Sequence, residues 1–407
     1  MNHFTQNELS QLDAEHVFST YARQPVAFVR GEGTRLWDSE GRVYLDFLCG
    51  LAVTSLGHAH PVVAAAIADQ ARTLAHVSNL FYNDIQPRLA ERLDLLLTSA
   101  TGTSGKLFFT NSGAEANECA IKLARRYGQL NGGQERFHIL SAFNSFHGRT
   151  LATLAATGQP EKQETFQPMP ATFRQVEFGD IGGLTNAMDE RVCAVMIESI
   201  QAEGGVIPAP SGYLDAVRAL CDEREVLLIA DEVQTGLGRT GKWFGFEHST
   251  DARPDIVTMA KALGNGMPIG ACWARSEVAS AFRPGDHGTT FGGQPLAARA
   301  ALAVLDVMEA EDVPKRAEEK GKRLAESLSA LPDIKEVRGM GLLLACELGD
   351  GISAKETAVA CLSNGLVVNA VTATALRLAP PLLVSDTEID EAVAILNSVL
   401  SEMGGKA

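Results

Sequence analysis

Short, nearly continuous apolar runs alternate with helical patterns in the middle of the chain, and this alternation limits the possible folds more than any other feature. The runs are KLFFT (106–110), FHILSA (137–142), CAVMIES (193–199), VLLIADE (226–232), DIVTMA (255–260) and IGACWA (269–274). Such runs are typical of strands buried on both faces, and helical segments such as AEANECAIKLARRYG separate several of them. The sequence therefore predicts an α/β fold with a mostly parallel sheet.

The two ends of the chain follow other patterns. Residues 34–47 alternate apolar and polar side chains around an acidic glycine turn, which predicts a β-hairpin. From about Gln294 a long helical stretch leads into a charged helix, two strand-like segments (336–348 and 366–370) and a last amphipathic helix. A chain of 407 residues exceeds what one core usually supports, so we expect two domains. The expected division is a large domain of residues 56–309 and a smaller α+β domain of residues 1–55 and 310–407.

Charge and termini exclude several classes of partner. The 50 acidic residues outnumber the 35 basic ones, and the net charge of −15 repels nucleic acids and anionic membranes. The first residues carry acids where a secretion signal requires cations, and no apolar run reaches spanning length, so we expect a soluble cytoplasmic protein. The seven cysteines lack metal-ligand spacing, which predicts reduced, buried thiols. His58 and His60 have no companion ligands, and Pro61 indicates a helix start, so we predict no metal site.

The segment LLIADEVQTGLGRTGKW (227–243) matches parts of a phosphate loop and of a dinucleotide-binding fingerprint. A phosphate loop requires a hydroxyl residue after its lysine, but Trp243 follows Lys242. The dinucleotide fingerprint requires a helix after its glycines, but an aromatic segment follows Gly241. These mismatches disfavour a non-catalytic nucleotide-binding protein. The remaining interpretation is a glycine turn that lets the backbone pass close to a neighbouring segment.

Polar residues at several strand ends could together hold one ligand. Asp231 ends a buried strand, and Lys261 follows the next one, where burial would lower its pKa and favour a nucleophilic amine. Gly113 and Ala114 begin a helix, whose N–H groups could bind a phosphate, although an ordinary Ser/Asn helix cap explains them equally well. Phe146 and Arg149 follow a third strand, where they offer an aromatic wall and a cation, although a core ring and a surface cation are the alternatives.

Taken together, these groups match a planar, phosphorylated aldehyde. Such a ligand needs a helix terminus for its phosphate, an amine for its aldehyde, an aromatic face for its ring and a carboxylate for its ring nitrogen. Pyridoxal 5'-phosphate meets all four requirements, and we predict it as the cofactor.

Long motifs then give a resemblance. LDFLCGLAVTSLGHAHP, FFTNSGAEANECAIKLAR, FNSFHGRTLATLAATG, LLIADEVQTGLGRTGKWF, AKALGNGMPIGA and HGTTFGGQPLA resemble, in this order, a class III aminotransferase of fold type I. The match is most similar to the acetylornithine aminotransferase group. The resemblance implies a seven-stranded, mostly parallel sheet in a large domain beside the smaller α+β domain.

The resemblance also implies individual cofactor contacts. Lys261 would bind the cofactor covalently, Asp231 would pair with its ring nitrogen, and Gln234 would bond its phenolic oxygen. Gly113 and Ala114 would hold the phosphate, and Phe146 would stack on the ring. Thr290 would reach the phosphate of the neighbouring subunit, which predicts a homodimer with active sites shared across the interface.

Substrate contacts follow from the same resemblance. Arg149 and Thr289 match residues that contact the substrate, with Arg149 facing a carboxylate. Glu203 matches a gate that masks an arginine, here Arg377, although a loop acid and an edge-strand cation are the alternatives. Two positions depart from the family pattern, because Ala202 replaces a usual Gly and Gln294 replaces a usual Asn.

The reaction that the resemblance implies is transamination of N2-acetyl-L-ornithine with 2-oxoglutarate, giving N-acetylglutamate 5-semialdehyde and L-glutamate, as in arginine biosynthesis. Ornithine, succinylornithine and 4-aminobutyrate are alternative amino donors, since the sequence separates them poorly.

Overall fold

The computed structural model describes residues 4–404. Its strands are β1 Phe28–Glu32, β2 Arg35–Asp38, β3 Val43–Asp46, β4 Gly105–Thr110, β5 His138–Ala142, β6 Phe173–Val176, β7 Val192–Ile197, β8 Ile200–Gln201, β9 Ile207–Pro208, β10 Leu227–Asp231, β11 Ile256–Met259, β12 Gly270–Arg275, β13 Ile334–Met340, β14 Leu343–Leu348, β15 Leu366–Val367, β16 Asn369–Ala370 and β17 Ala375–Leu378. Its helices are α1 Gln6–His16, α2 Cys49–Ala52, α3 Pro61–Thr73, α4 Gln86–Thr101, α5 Gly113–Gly132, α6 Leu151–Ala156, α7 Pro160–Gln163, α8 Ile181–Ala187, α9 Tyr213–Glu223, α10 Ser276–Ala279, α11 Pro295–Ala310, α12 Val313–Ser329, α13 Ala354–Ser363 and α14 Asp386–Gly404. Within this part of the chain, no helix combines the length and apolar character needed to cross a membrane.

The central sheet has seven strands in the order β4-β12-β11-β10-β7-β5-β6. The strands from β11 to β6 pair in parallel, whereas β12 runs antiparallel to both of its neighbours. Every residue of β7 and β10 is buried, because α5 packs on one face of the sheet and α8 and α9 pack on the other. The predicted mostly parallel α/β sheet is confirmed.

Strand β6 was not predicted. It lies at the edge of the sheet, and all four of its residues are only half-buried. Arg174 and Gln175 interrupt its apolar pattern, because an edge strand exposes part of its length to water. The sequence signal for a fully buried strand is therefore missing there.

The direction of the strands gathers chemically active residues at one edge of the sheet. β4, β5, β7, β10 and β11 all end at this edge, and the reversed β12 begins there. Open α/β sheets bind ligands at the carboxyl ends of their strands. The segments that leave these ends build the cavity described below.

Two four-stranded sheets hold the ends of the chain. The predicted hairpin is formed by β2 and β3, and β15 adds to β3 in parallel. The other sheet has the order β13-β14-β17-β16 and is antiparallel. Segments 336–348 and 366–370 were each expected as one strand. The first instead forms the antiparallel pair β13 and β14, because the chain reverses at Gly341. The second divides into β15 and β16, which belong to different sheets because the chain crosses between them at Val368. The proposed domain boundaries stay a prediction.

The glycine loop after β10 packs against protein. A Cβ on Gly241 would lie 2.9 Å from Cβ of Glu318 on α12, and one on Gly238 would lie 3.0 Å from Cε of Met308 on α11. The glycines therefore allow close packing, which is the interpretation that the sequence left open. The seven cysteines are free and buried, as predicted.

Candidate active site

A cavity of about 440 Å³ lies at the carboxyl ends of the central strands. Its wall includes most of the residues predicted for the cofactor and substrate: Gly113, Ala114, Phe146, Arg149, Asp231, Gln234 and Lys261. Glu203, Arg377, Thr289 and Thr290 lie outside this wall, and the first two contact Gln234.

Lys261 follows β11 and begins a short 3₁₀-helix that ends at Gly264. Its φ of 41° lies in the left-handed region, which is strained for a residue with a side chain. Burial lowers the pKa of its amine to about 8, although the charge of Glu203 acts in the opposite direction. This lysine is therefore more nucleophilic near neutral pH than a lysine in water, as the sequence predicted.

Asp231 ends β10, and three groups orient its buried carboxylate. Asn117 on α5 donates to Oδ2 over 2.8 Å, and the backbone N–H of Val233 donates to Oδ1 over 3.1 Å. Nδ1 of His147 also lies 2.8 Å from Oδ2. A carboxylate oxygen accepts hydrogen bonds, so a hydrogen bond at this position requires the His147 proton on Nδ1. Sequence reasoning missed both His147 and Asn117.

The N-terminus of α5 forms another part of the wall. Ser112 caps the helix, because its hydroxyl accepts a hydrogen bond from the Glu115 N–H over 3.2 Å. The cap leaves Gly113 and Ala114 at the cavity. A Cβ on Gly113 would lie 2.7 Å from Cγ1 of Val233, so only glycine fits between the helix and the segment after β10.

Glu203, Gln234 and Arg377 form a buried polar cluster beside the cavity. Arg377 donates to Glu203 over 2.5 Å and to the Gln234 side-chain oxygen over 3.1 Å, and Gln234 donates to Glu203 over 3.1 Å. Burial raises the pKa of Glu203, but the charges of Arg377 and Lys261 outweigh it, and the pKa falls to about 2. β17 lies between β14 and β16, so Arg377 is fully buried in the sheet and the edge-strand alternative is wrong.

Glu198 is a buried carboxyl group that sequence reasoning missed. It follows β7 directly, at the same edge of the sheet where Asp231 ends β10, and it lines the cavity. Its Oε2 accepts the backbone N–H of Phe146 over 3.0 Å. Burial raises its pKa well above the ordinary value. The signal was available, because Glu198 follows the apolar residues CAVMI directly, as Asp231 follows LLIA.

The predicted subunit-crossing segment lies on the surface of this protomer. Thr290 is exposed, whereas the Thr289 hydroxyl accepts a 3.3 Å hydrogen bond from Asn111 in the wall of its own cavity. Gln294 accepts from the Val77 N–H over 3.0 Å. The methyl group of Ala202 is buried in a small apolar cluster. The structure thus accommodates both departures from the family pattern.

Of the two histidines near the N-terminus, His58 pairs with a buried carboxylate. His58 Nε2 lies 2.7 Å from Oδ2 of Asp46, and Pro61 occupies the first turn of α3. Over residues 4–404, no group of three or more His, Cys, Asp or Glu side chains could hold a metal ion.

A nucleophilic lysine and an oriented carboxylate thus share one cavity at the carboxyl edge of a mostly parallel sheet, which is the arrangement of an α/β enzyme. The family described as "Aminotransferase class-III" matches residues 18–400. The acetylornithine aminotransferase of Caldanaerobacter subterraneus is 49% identical and covers 96% of this chain and 98% of its own. That of Gloeobacter violaceus is 48% identical and covers 97% and 98%.

Solved structures agree with these relatives. Ornithine aminotransferase from Toxoplasma gondii superimposes with a TM-score of 0.93 at 33% identity, covering 100% of this chain and 97% of its own. Another structure of that enzyme has partial occupancy of PLP (pyridoxal 5'-phosphate) at its active site. Acetylornithine aminotransferase from Elizabethkingia anophelis gives a TM-score of 0.86 at 33% identity, covering 98% and 100%. The chain belongs to the class-III aminotransferase family.

Proposed function

We propose that this aminotransferase uses pyridoxal 5'-phosphate to transfer the amino group of N2-acetyl-L-ornithine to 2-oxoglutarate, giving N-acetylglutamate 5-semialdehyde and L-glutamate. The observation that carries the proposal is that the amine of Lys261 and the oriented carboxylate of Asp231 lie in one cavity. The acetylornithine aminotransferases that match nearly the whole chain supply the choice of substrate.

The cavity fits this cofactor in size and in chemistry. A volume of about 440 Å³ lies within the range of small-molecule sites. Gly113 and Ala114 offer N–H groups at the N-terminus of a 20-residue helix for the phosphate. Lys261 offers an amine for the aldehyde, Phe146 a ring face, and Asp231 a carboxylate for the ring nitrogen.

When bound, the cofactor supplies a carbonyl carbon that links to amines and a ring that accepts electron density from the substrate. Lys261 would hold the cofactor covalently, and its freed Nζ would then accept the proton from the substrate Cα. A pKa of about 8 leaves a useful fraction of this amine neutral near neutral pH. Asp231, oriented by Asn117 and His147, would keep a proton on the ring nitrogen. Gln234 would bond the phenolic oxygen.

Two arginines would receive the substrate carboxylates. Arg149 lines the cavity and would bind the carboxylate farthest from the reacting atom. Arg377 is paired with Glu203, so it would receive the α-carboxylate of glutamate only after Glu203 moves away. This gate would let one pocket serve two unlike substrates, and Thr289 would add a further substrate contact. Ornithine is the second candidate donor, because ornithine aminotransferase shares the fold at a TM-score of 0.93.

The active unit is proposed to be a homodimer in which Thr290 binds the phosphate of the partner subunit. Leu80, Phe81, Tyr82 and Phe291 are large apolar residues that lie exposed on the protomer. Asn79 donates to the Thr289 carbonyl, so these residues adjoin the 289–292 segment and form one patch suited to an interface. A cytoplasmic location stays a prediction from the sequence.

Borohydride reduction of the purified holoenzyme followed by peptide mapping tests the cofactor site. We expect a single pyridoxyl adduct on Lys261, and none in the Lys261→Ala variant. A panel of N2-acetylornithine, ornithine, succinylornithine and 4-aminobutyrate with 2-oxoglutarate then tests the donor. An adduct on another lysine would contradict the site, and a higher kcat/KM for another donor would replace the substrate.

A further inference from the structure

Two cationic side chains lie near the ring of Phe146, which lines the cavity. Arg149 lines the cavity as well, whereas Lys162 is not part of its wall. Cζ of Arg149 lies 5.7 Å from the ring centroid of Phe146, and Nζ of Lys162 lies 5.6 Å from it. Burial lowers the pKa of Lys162, and the charge of Arg149 lowers it further. The two positive charges therefore lie near the same side chain, Phe146.

The carboxylates near this pair are either bound elsewhere or exposed. The acids that act on Lys162 are Glu203 and Glu161. Glu203 is held by Arg377 at 2.5 Å, and Glu161 is exposed. The charge of Arg149 acts on Lys162 more strongly than that of either acid, so an anion placed near both cations would be favoured.

Lys162 is also held in place. It lies on α7, and its amine donates to the side-chain oxygen of Gln159. Gln159 is buried, and its amide donates to the Ser145 carbonyl over 3.0 Å. The fold thus holds the half-buried ammonium group of Lys162 near the guanidinium group of Arg149. Their repulsion is unfavourable unless an anionic ligand binds to both.

We infer that Lys162 is a specificity-determining residue that binds, together with Arg149, the substrate carboxylate farthest from the reacting atom. The inference rests on the proposed aminotransferase reaction and deepens it. It predicts a preference for 2-oxo dicarboxylates over 2-oxo monocarboxylates of the same chain length. Lys162 does not belong to the motifs that gave the family resemblance, so the resemblance did not predict a role for it.

The test is steady-state kinetics of the holoenzyme with matched acceptors. 2-Oxoglutarate and 2-oxopentanoate have the same chain length, but only the first ends in a carboxylate. We expect Lys162→Met to raise KM for 2-oxoglutarate about threefold to tenfold, the range of a partly buried ion pair, with a much smaller change in kcat. KM for 2-oxopentanoate should change by less than about twofold, and Lys162→Arg should restore the KM for 2-oxoglutarate.

Lys315→Met is the matched control, because Lys315 is exposed on α12 and its loss changes the net charge equally. An equal rise in both KM values, or no rise for 2-oxoglutarate, would overturn the role of Lys162. A wild-type protein without transaminase activity would instead overturn the proposed function, so the two failures are distinguishable.

Discussion

Among single residues, substitution of Asp231 should reduce the rate of the chemical step more than it weakens cofactor binding. Its carboxylate would stabilise a charge that develops only during the reaction, whereas the phosphate and the lysine contribute most to binding. We expect Asp231→Asn to lower kcat roughly a hundredfold or more while the protein still binds pyridoxal 5'-phosphate. Single-turnover rates and cofactor titration measure the two effects. Asp69→Asn, at an exposed residue of α3, is the control.

The amine of Lys261 gives a prediction about pH. Only the neutral amine attacks a carbonyl, and burial lowers the pKa of Lys261 from 10.5 to about 8. Covalent capture of the cofactor by the apoprotein should therefore accelerate as the pH rises through about 8 and level off above it. Stopped-flow absorbance from pH 6 to 10 checks this expectation. A rate that still rises at pH 10 without levelling off would mean that the amine lies in water.

The sequence could predict residues that stand at strand ends but not the groups that orient them. Asp231 and Lys261 each follow an apolar run, and position along such a run is a local signal. Asn117 and His147 reach Asp231 from another helix and another loop, so their contacts depend on the tertiary fold. Lys162 gave no local signal at all.

At the level of elements, the close contact between α5 and the segment after β10 places the proposed phosphate site. A methyl group on Gly113 would lie 2.7 Å from Val233 and would push the helix N-terminus away. We expect Gly113→Ala to weaken cofactor binding about tenfold or more, and Val233→Ala to restore part of the loss in the double variant. Equilibrium dialysis with the cofactor measures both. No effect of Gly113→Ala would remove this helix terminus from the site.

The pairing of Glu203 with Arg377 joins the loop after β8 to β17. Removing the carboxylate leaves Arg377 without its counter-ion and open to an incoming α-carboxylate. Glu203→Gln should therefore lower KM for glutamate and reduce the discrimination between glutamate and N2-acetylornithine several-fold. Half-reaction rates with each donor, followed by absorbance, decide the outcome. Unchanged discrimination would mean that the pair is structural and not a gate.

Periodicity predicted the central elements well, and its failures share one cause. Six of the seven central strands carry apolar runs and were visible in the sequence, including β4, which is only partly buried at the other edge of the sheet. β6 was missed because it lies at a sheet edge and pairs only with β5. The split between β15 and β16 was missed because it depends on their pairing partners, which are β3 and β17. Pairing partners are properties of the whole fold, and a local pattern does not contain them.

At the level of the whole molecule, hybrid dimers test whether Thr290 serves the partner's active site. Thr290 is exposed and outside the cavity wall of its own protomer. A Thr290→Glu chain would repel the phosphate in its partner's site, and a Lys261→Ala chain lacks the amine in its own. In a heterodimer of these two chains, one site would then carry both defects and the other would be native.

Neither variant alone should be active, but refolding them together in equal amounts should recover about a quarter of the wild-type activity, because half of the dimers are mixed and each has one native site. Sedimentation of each variant first confirms that it is still a dimer. If Thr290 instead acts within its own protomer, no native site forms in any mixture. Recovery therefore distinguishes a shared active site from a self-contained one, even though the Thr289 hydroxyl contacts the wall of its own cavity.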